Sequence, residues 1–337
     1  MKYLKDLKKE YLVKRINPNF EEYTDLTNFP THFEIETINA CNARCPMCTI
    51  NEWDKEENMM SDSLFQKIIE EIAEYNHHVK RVNLYRDGEP LLDRKLPERI
   101  KKCKELGIPN VAISTNVSLL NEDKVKDILE AGLDMITLSI DSLNKDVYEQ
   151  IRRGLNFETV LKNAKTLLKV RNELKSNCEI WIRMIRQESN IDEFSSYKKH
   201  WEETGLIKSF DRIYYHNIFN WGGQLESFKG ISKNTEEHLP CVTLWSLMPI
   251  FANGDVPMCN VDFNGNNKIG NVRENTILNI WNSKSMNEIR ELHLSGIKGT
   301  IDMCKNCNVW EEVTKRDGTP SVSSQYSVML TPQVQVT

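Results

Sequence analysis

The sequence predicts an α/β protein built on a parallel sheet, followed by a small cysteine-bearing segment. Three observations predict it. Short β-branched runs alternate with amphipathic helical stretches from His32 onward, the strand-then-helix unit occurs six times, and the pattern breaks near Gly222-Gly223 into a turn-rich stretch. Serial units of this kind imply right-handed crossovers, which gather functional residues at the C-terminal ends of the strands.

Residues 1–30 are polar and weakly periodic, and are expected to form a short helix and an arm packed on the outside of the next domain. His32-Phe33-Glu34-Ile35-Glu36-Thr37-Ile38 alternates polar and apolar residues and reads as a half-buried first strand. Ser61 can cap a helix whose Leu64, Phe65, Ile68, Ile69 and Ile72 form one apolar stripe. Val82 to Tyr85 is the second strand, and Leu96, Ile100, Cys103 and Leu106 line the helix that Gly107 closes. Val111 to Ser114 is the third strand, with a helix from the Asn121 cap to Gly132. Met135 to Ile140 is the fourth strand, followed by a long helix from about Asn156 to Asn172. Glu179 to Ile185 is the fifth, then a helix carrying Phe194, Tyr197 and Trp201, and Ile213-Tyr214-Tyr215 is the sixth. Asn253-Gly254-Asp255 reads as the turn of a hairpin. The expected domains are an arm (1–30), a barrel (31–223), a cysteine domain (239–317) and a Ser- and Gln-rich tail (318–337).

The 337 residues can bury a sizeable core. Charged residues make up 28% with a net charge of −5 and no basic stripe, which argues against a nucleic-acid partner. No apolar run has signal-peptide or membrane-span length, so a cytoplasmic location without membrane contact is expected. Nine cysteines in such a chain point to metal ligation rather than disulfides.

Three of them fall in Cys41-Asn42-Ala43-Arg44-Cys45-Pro46-Met47-Cys48, on the loop directly after the first strand. Three thiolates on one loop can hold three irons of a four-iron cluster and leave the fourth open to chemistry. The alternative is a zinc site, although no second cysteine pair lies nearby. The C-x3-C-x2-C spacing resembles the signature of the radical S-adenosylmethionine (SAM) enzymes. That resemblance implies an open, partial (β/α)6 TIM-like barrel, SAM held on the unique iron, and its reductive cleavage to a 5'-deoxyadenosyl radical. It also implies SAM-binding roles for Gly88, Glu89 and Pro90 after the second strand, for Ser114 and Asn116 after the third, and for Ser139 and Asp141 at the fourth. Arg152 or Arg153 would meet the SAM carboxylate. Met47 stands where the family usually backs the adenine with an aromatic ring, and Val117 stands where it usually has glycine.

Cys241, Cys259, Cys304 and Cys307 follow at steps of 18, 45 and 3 residues. With Ile269-Gly270-Asn271-Val272, Ile280-Trp281-Asn282 and the closing Cys-Lys-Asn-Cys, they resemble the SPASM and Twitch iron-sulfur extensions of the same family. Four thiolates match one saturated auxiliary 4Fe-4S cluster suited to electron transfer, or a structural zinc. The steps and the Cys-Lys-Asn-Cys-Asn ending resemble the aminocyclitol (2-deoxy-scyllo-inosamine) dehydrogenase type. The resemblance therefore implies a biosynthetic oxidoreductase with SAM and two 4Fe-4S clusters, a small-molecule substrate such as a sugar or else a peptide, and a flavodoxin- or ferredoxin-type electron donor. A radical epimerase, a peptide maturase and, outside enzymes, a zinc-stabilised binding protein remain open. Cys103 on an outer helix and Cys178 before the fifth strand are placed away from the mouth. Arg183 and Arg186 on the fifth strand and His216, next to Asn217, on the sixth are the candidate catalytic residues.

Overall fold

The structure is a computed structural model that describes residues 2–17, 20–56, 58–218, 220–225 and 239–307. Seven parallel strands make one sheet: β1 (His32–Ile35), β2 (Arg81–Asn83), β3 (Val111–Thr115), β4 (Met135–Ser139), β5 (Glu179–Arg186), β6 (Arg212–Asn217) and β7 (Leu247–Ile250). They lie in the order β6-β5-β4-β3-β2-β1-β7. The result is the partial barrel, with β6 and β7 as its two edges. A two-stranded antiparallel ribbon, β8 (Asp255–Pro257) and β9 (Lys268–Asn271), stands outside it.

The helices are α1 (Lys2–Ile16), α2 (Asp25–Asn28), α3 (Asp62–Ala73), α4 (Leu96–Glu105), α5 (Glu122–Glu130), α6 (Lys145–Ile151), α7 (Phe157–Glu173), α8 (Phe194–Glu203), α9 (Ile277–Trp281), α10 (Lys284–Leu294) and α11 (Asp302–Lys305). Their starts follow local chemistry. Ser61 accepts from the Leu64 N–H, Asn121 from Lys124 and Asn156 from Thr159, so each satisfies a donor that the first helical turn leaves without an intrahelical partner. The inner faces are apolar: Leu64, Phe65, Ile68, Ile69 and Ile72 of α3 are all buried. Among the described residues no helix is long and apolar enough to cross a membrane.

Four expectations are corrected. The sheet has a seventh strand, because Leu247-Met248-Pro249-Ile250 adds parallel to β1. It reaches the sheet from beyond the pattern break, and its proline is tolerated because an edge strand need not donate on its outer side. The turn at Gly254 exists, with φ +92° and a Phe251 N–H to Asp255 C=O bond of 2.9 Å. Its two flanks do not form a hairpin ladder, since β7 pairs with β1 and β8 with β9. Strand β1 is buried on both faces rather than half-buried, because one side meets the helix layer and the other the barrel interior. Finally, α1 is a full 15-residue helix that lies against α10, where Lys5 pairs with Glu291 and Lys8 donates to the Leu294 carbonyl at 3.0 Å. The tail from 318 lies outside the described residues.

Candidate active site

The C-terminal ends of the strands surround a cavity, and the cysteine loop after β1 forms one wall of it. Cys41, Cys45 and Cys48 all line this cavity. Burial pushes the Cys41 thiol up to about 11 and Cys48 up to about 12, so a metal that binds here must displace protons to claim thiolates. Gly88 locks the β2 loop onto the cysteine loop: a Cβ there would sit 2.5 Å from the Ile38 carbonyl oxygen and 2.8 Å from that of Ala40. Glu89 then donates its N–H to the Ala40 carbonyl at 2.8 Å. No side chain larger than hydrogen fits this approach.

Glu89 is buried, and its carboxylate accepts from Leu91 N–H (3.1 Å), Thr115 Oγ1 (2.7 Å) and Asn116 N–H (2.7 Å). It therefore ties the β2 loop to the end of β3. Asn116 reaches on to Asn42 Oδ1 at 2.9 Å and lies 3.9 Å from Cys41 Sγ. Val117 holds the backbone a glycine would take, at φ +70°, a region that a β-branched side chain enters only at a cost. Pro90 opens a short turn and is not among the residues that line the cavity.

Arg152 lines the cavity and Arg153 is exposed. The Arg152 Nε donates to Asp141 Oδ2 at 2.6 Å and its Nη1 lies 3.9 Å from Cys45 Sγ, while its buried Nη2 has no protein partner. That orphan donor, beside three thiols, suits the carboxylate of SAM. Asp141 is placed differently from expectation. Its other oxygen accepts the Ile185 N–H at 2.7 Å and it does not line the cavity, so it orients Arg152 rather than facing a ribose. Ser139 and Ser114 do line the cavity, and Arg183 Nη2 donates to Ser139 Oγ at 2.6 Å. Met47 lies in the same wall, and its carbonyl accepts from Trp221 Nε1 at 3.2 Å.

Of the three catalytic candidates, Arg183 and His216 line the cavity and Arg186 does not. Arg186 lies on the helix side of the sheet, over the Tyr215 ring and bonded to Asn217 Oδ1 at 2.9 Å. Residues three apart on a strand face opposite ways, so Arg183 and Arg186 cannot share the mouth. His216 donates from Nδ1 to the Asn217 carbonyl at 3.0 Å, which leaves Nε2 as its acceptor. Burial, reinforced by Arg183, lowers it to about 4.

Among the further lining residues that the sequence does not single out, two carry polar groups that bear on the chemistry. Glu34 on β1 is buried in the cavity wall, and burial pushes its carboxyl up to about 8, partly offset by Arg86. Asn260 has a buried Nδ2 without a partner and lines a second cavity as well as the first. Strand parity marks Glu34, which alternates with the core residues Phe33 and Ile35; no local signal marks Asn260.

The second cavity is lined by Cys241, Cys259, Cys304 and Cys307, and by His293 and Lys298. Four thiols on one cavity match the ligand set of a single four-iron cluster. Burial and the nearby Lys298 and Lys8 push His293 down to about 3.

Comparison with known proteins agrees with this geometry. The Radical SAM superfamily matches residues 35–180, and an iron-sulfur cluster-binding domain, SPASM, matches residues 241–308. A GTP 3',8-cyclase of Limosilactobacillus fermentum is 30% identical over 151 residues, covering 44% of this chain and 43% of the relative. A tungsten-containing aldehyde ferredoxin oxidoreductase cofactor-modifying protein of Pyrococcus furiosus is 31% identical over 144 residues, covering 42% and 39%. The matches thus span about two fifths of these curated relatives. Among solved structures, BtrN in complex with AdoMet and 2-DOIA has a TM-score of 0.58 at 20% identity, covering 83% of this chain and 93% of BtrN. Streptococcus suis SuiB bound to precursor peptide SuiA has 0.58 at 18%, covering 84% and 71%, and anSMEcpe with bound AdoMet has 0.61 at 15%, covering 89% and 94%. With its SAM-type cysteine loop at the barrel mouth and its four-cysteine segment behind, the chain carries a Radical SAM domain over residues 35–180 and a SPASM iron-sulfur cluster-binding domain over residues 241–308, the two domains whose cofactors are SAM and iron-sulfur clusters.

Proposed function

We propose that this protein is a radical SAM oxidoreductase that dehydrogenates a hydroxylated small molecule, a sugar, an aminocyclitol or a similar compound. Held by Cys41, Cys45 and Cys48, a cluster with SAM would supply hydrogen-atom abstraction from a substrate carbon, and a cluster held by Cys241, Cys259, Cys304 and Cys307 would supply an acceptor for the electron the substrate gives up. Arg152, braced by Asp141, offers its unpaired Nη2 to the SAM carboxylate. Glu34 or His216, both in the cavity wall, receives the hydroxyl proton, so the substrate loses two hydrogens in all. Arg183 braces Ser139.

The observation that carries this reading is the shared wall: Asn260 follows the auxiliary ligand Cys259 directly and borders both cavities. The four cysteines that would hold an electron-accepting cluster line the cavity that shares this wall. The two remaining cysteines support the same reading, because Cys103 and Cys178 are buried and line neither cavity, so no spare thiol is poised to return a hydrogen atom.

The test is anaerobic turnover with hydroxylated small molecules. The expected result is one 5'-deoxyadenosine per product lighter by two hydrogens. Unchanged mass with deuterium taken from solvent identifies an epimerase instead. Reaction only with peptides identifies a maturase, the substrate class seen in the SuiB structure.

A further inference from the structure

The wall of the auxiliary cavity contains two nitrogen side chains that the reaction as described does not use. His293, on the last turn of α10, is 1% exposed. Its Nδ1 accepts the Cys241 backbone N–H at 3.2 Å, and its Nε2 lies 3.6 Å from Cys304 Sγ. An Nδ1 that accepts a hydrogen bond carries no proton, so the ring proton sits on Nε2 and points at the sulfur. The ring thus spans two of the four cysteines, fixed at one end by a backbone amide. Lys298, 6% exposed, lines the same cavity and is anchored through Nζ to the Leu239 carbonyl at 2.9 Å.

A structural histidine would also be buried on this face, since Met286, Arg290 and Leu294 share the inner side of α10. Packing alone does not explain why both ring nitrogens address the cysteine set. An apolar residue of similar size would fill the same space.

We infer that His293 is a positioning residue for electron transfer: its Nε2–H hydrogen-bonds the Cys304 ligand sulfur and, together with the buried ammonium of Lys298, raises the reduction potential of the auxiliary cluster. Each electron added to a four-thiolate cluster adds negative charge inside a low-dielectric cavity, and a fixed donor and a fixed cation stabilise that charge. A raised potential makes the site an acceptor rather than a donor. The purpose assigned here rests on the dehydrogenase reading, whereas the effect on potential does not depend on it.

The experiment is a potentiometric titration of the reconstituted full chain followed by electron paramagnetic resonance, with SAM added so that the first cluster is recognised by its response to SAM. His293→Phe is expected to lower the auxiliary midpoint by about 59 mV, a tenfold loss of electron affinity for one electron, at unchanged iron content. His293→Gln, whose amide can still donate, is expected to recover part of the shift, and Lys298→Met to move the midpoint the same way as His293→Phe. An unchanged midpoint in His293→Phe with full iron content overturns the inference and leaves His293 as packing. Loss of about four irons overturns it in favour of a ligand or scaffold role. Because no substrate is involved, a midpoint shift stands even if no dehydrogenation is found, and dehydrogenation stands if no shift is seen.

Discussion

The Arg86 guanidinium donates from Nη2 to the backbone carbonyl of Asn260 at 3.1 Å, and to that of Asp262 at 3.0 Å. Arg86 follows β2, on the barrel side, whereas Asn260 follows an auxiliary cysteine. The Arg86 side chain is 1% exposed, is ion-paired with Asp87 and lies over the Phe251 ring. One buried cation therefore clamps the two cluster-bearing segments together.

Removing that cation leaves two carbonyls short of a donor in the interior and Asp87 with Lys55, at 3.1 Å, as its remaining cation. Because Lys55 still faces Asp87, Arg86→Met is expected to destabilise the protein by roughly 2–3 kcal/mol, the cost of leaving buried acceptors without their charged donor. Denaturant unfolding of the reconstituted protein measures it. A loss below about 1 kcal/mol, the range of exposed pairs, would show that the clamp carries little.

The two candidate bases are separated by pH. A carboxyl acts as a base only when ionised, so with Glu34 raised to about 8 the rate climbs as pH rises through that value. His216, lowered to about 4, is already neutral above that pH and gives a flat profile from about 5 upward. Glu34 also leaves a trace in stability. Its folded value lies above the ordinary 4.5, so its contribution is fully present below 4.5 and is lost as pH rises to about 8. Glu34→Gln is therefore expected to gain stability over the parent progressively across that window, and a constant difference would contradict the assignment.

Iron content separates the two cysteine sets. Replacing Cys41, Cys45 and Cys48 with alanine is expected to leave about four of about eight irons and to abolish SAM cleavage. Replacing Cys304 and Cys307 is expected to remove the other four while SAM cleavage in the absence of substrate persists. Iron and 5'-deoxyadenosine assays read both. Zinc retained in place of iron at the second site would overturn the electron-acceptor reading.

What could be read from sequence was whatever is local. The three cysteines of the first loop sit within eight residues, and the helix caps Ser61, Asn121 and Asn156 announce themselves beside their apolar stripes. Errors arose where a residue type suggested a role and only geometry could assign it. Asp141 turned to Arg152 and the Ile185 amide, and Arg186 to the helix layer, although strand parity already forbids Arg183 and Arg186 from sharing a face. Glu34 escapes the sequence because alternation implies a solvent face, whereas a barrel strand has none. The β7 addition to β1 and the approach of Asn260 to the barrel mouth join positions more than 170 residues apart, as the Arg86–Asn260 bond does at a separation of 174. No short-range pattern encodes such contacts.

Asn260 supplies the sharpest test of the shared wall. Its side chain is 4% exposed, its backbone carbonyl is held by Arg86, and its amide nitrogen is buried without a partner while bordering both cavities. A buried amide without its hydrogen bond costs about 1–3 kcal/mol, and an apolar side chain of similar size avoids that cost. Asn260→Leu is therefore expected to leave the substrate-free protein as stable as the parent or about 1 kcal/mol more stable, since nothing is unpaired by the change. With substrate present, the lost donor is expected to lower kcat/KM about tenfold, the worth of one hydrogen bond of about 1.4 kcal/mol. SAM cleavage without substrate should stay the same. The ratio of product to 5'-deoxyadenosine is the decisive reading: a fall places the amide on the substrate, and a ratio equal to the parent's alongside a stability loss makes it a scaffold group.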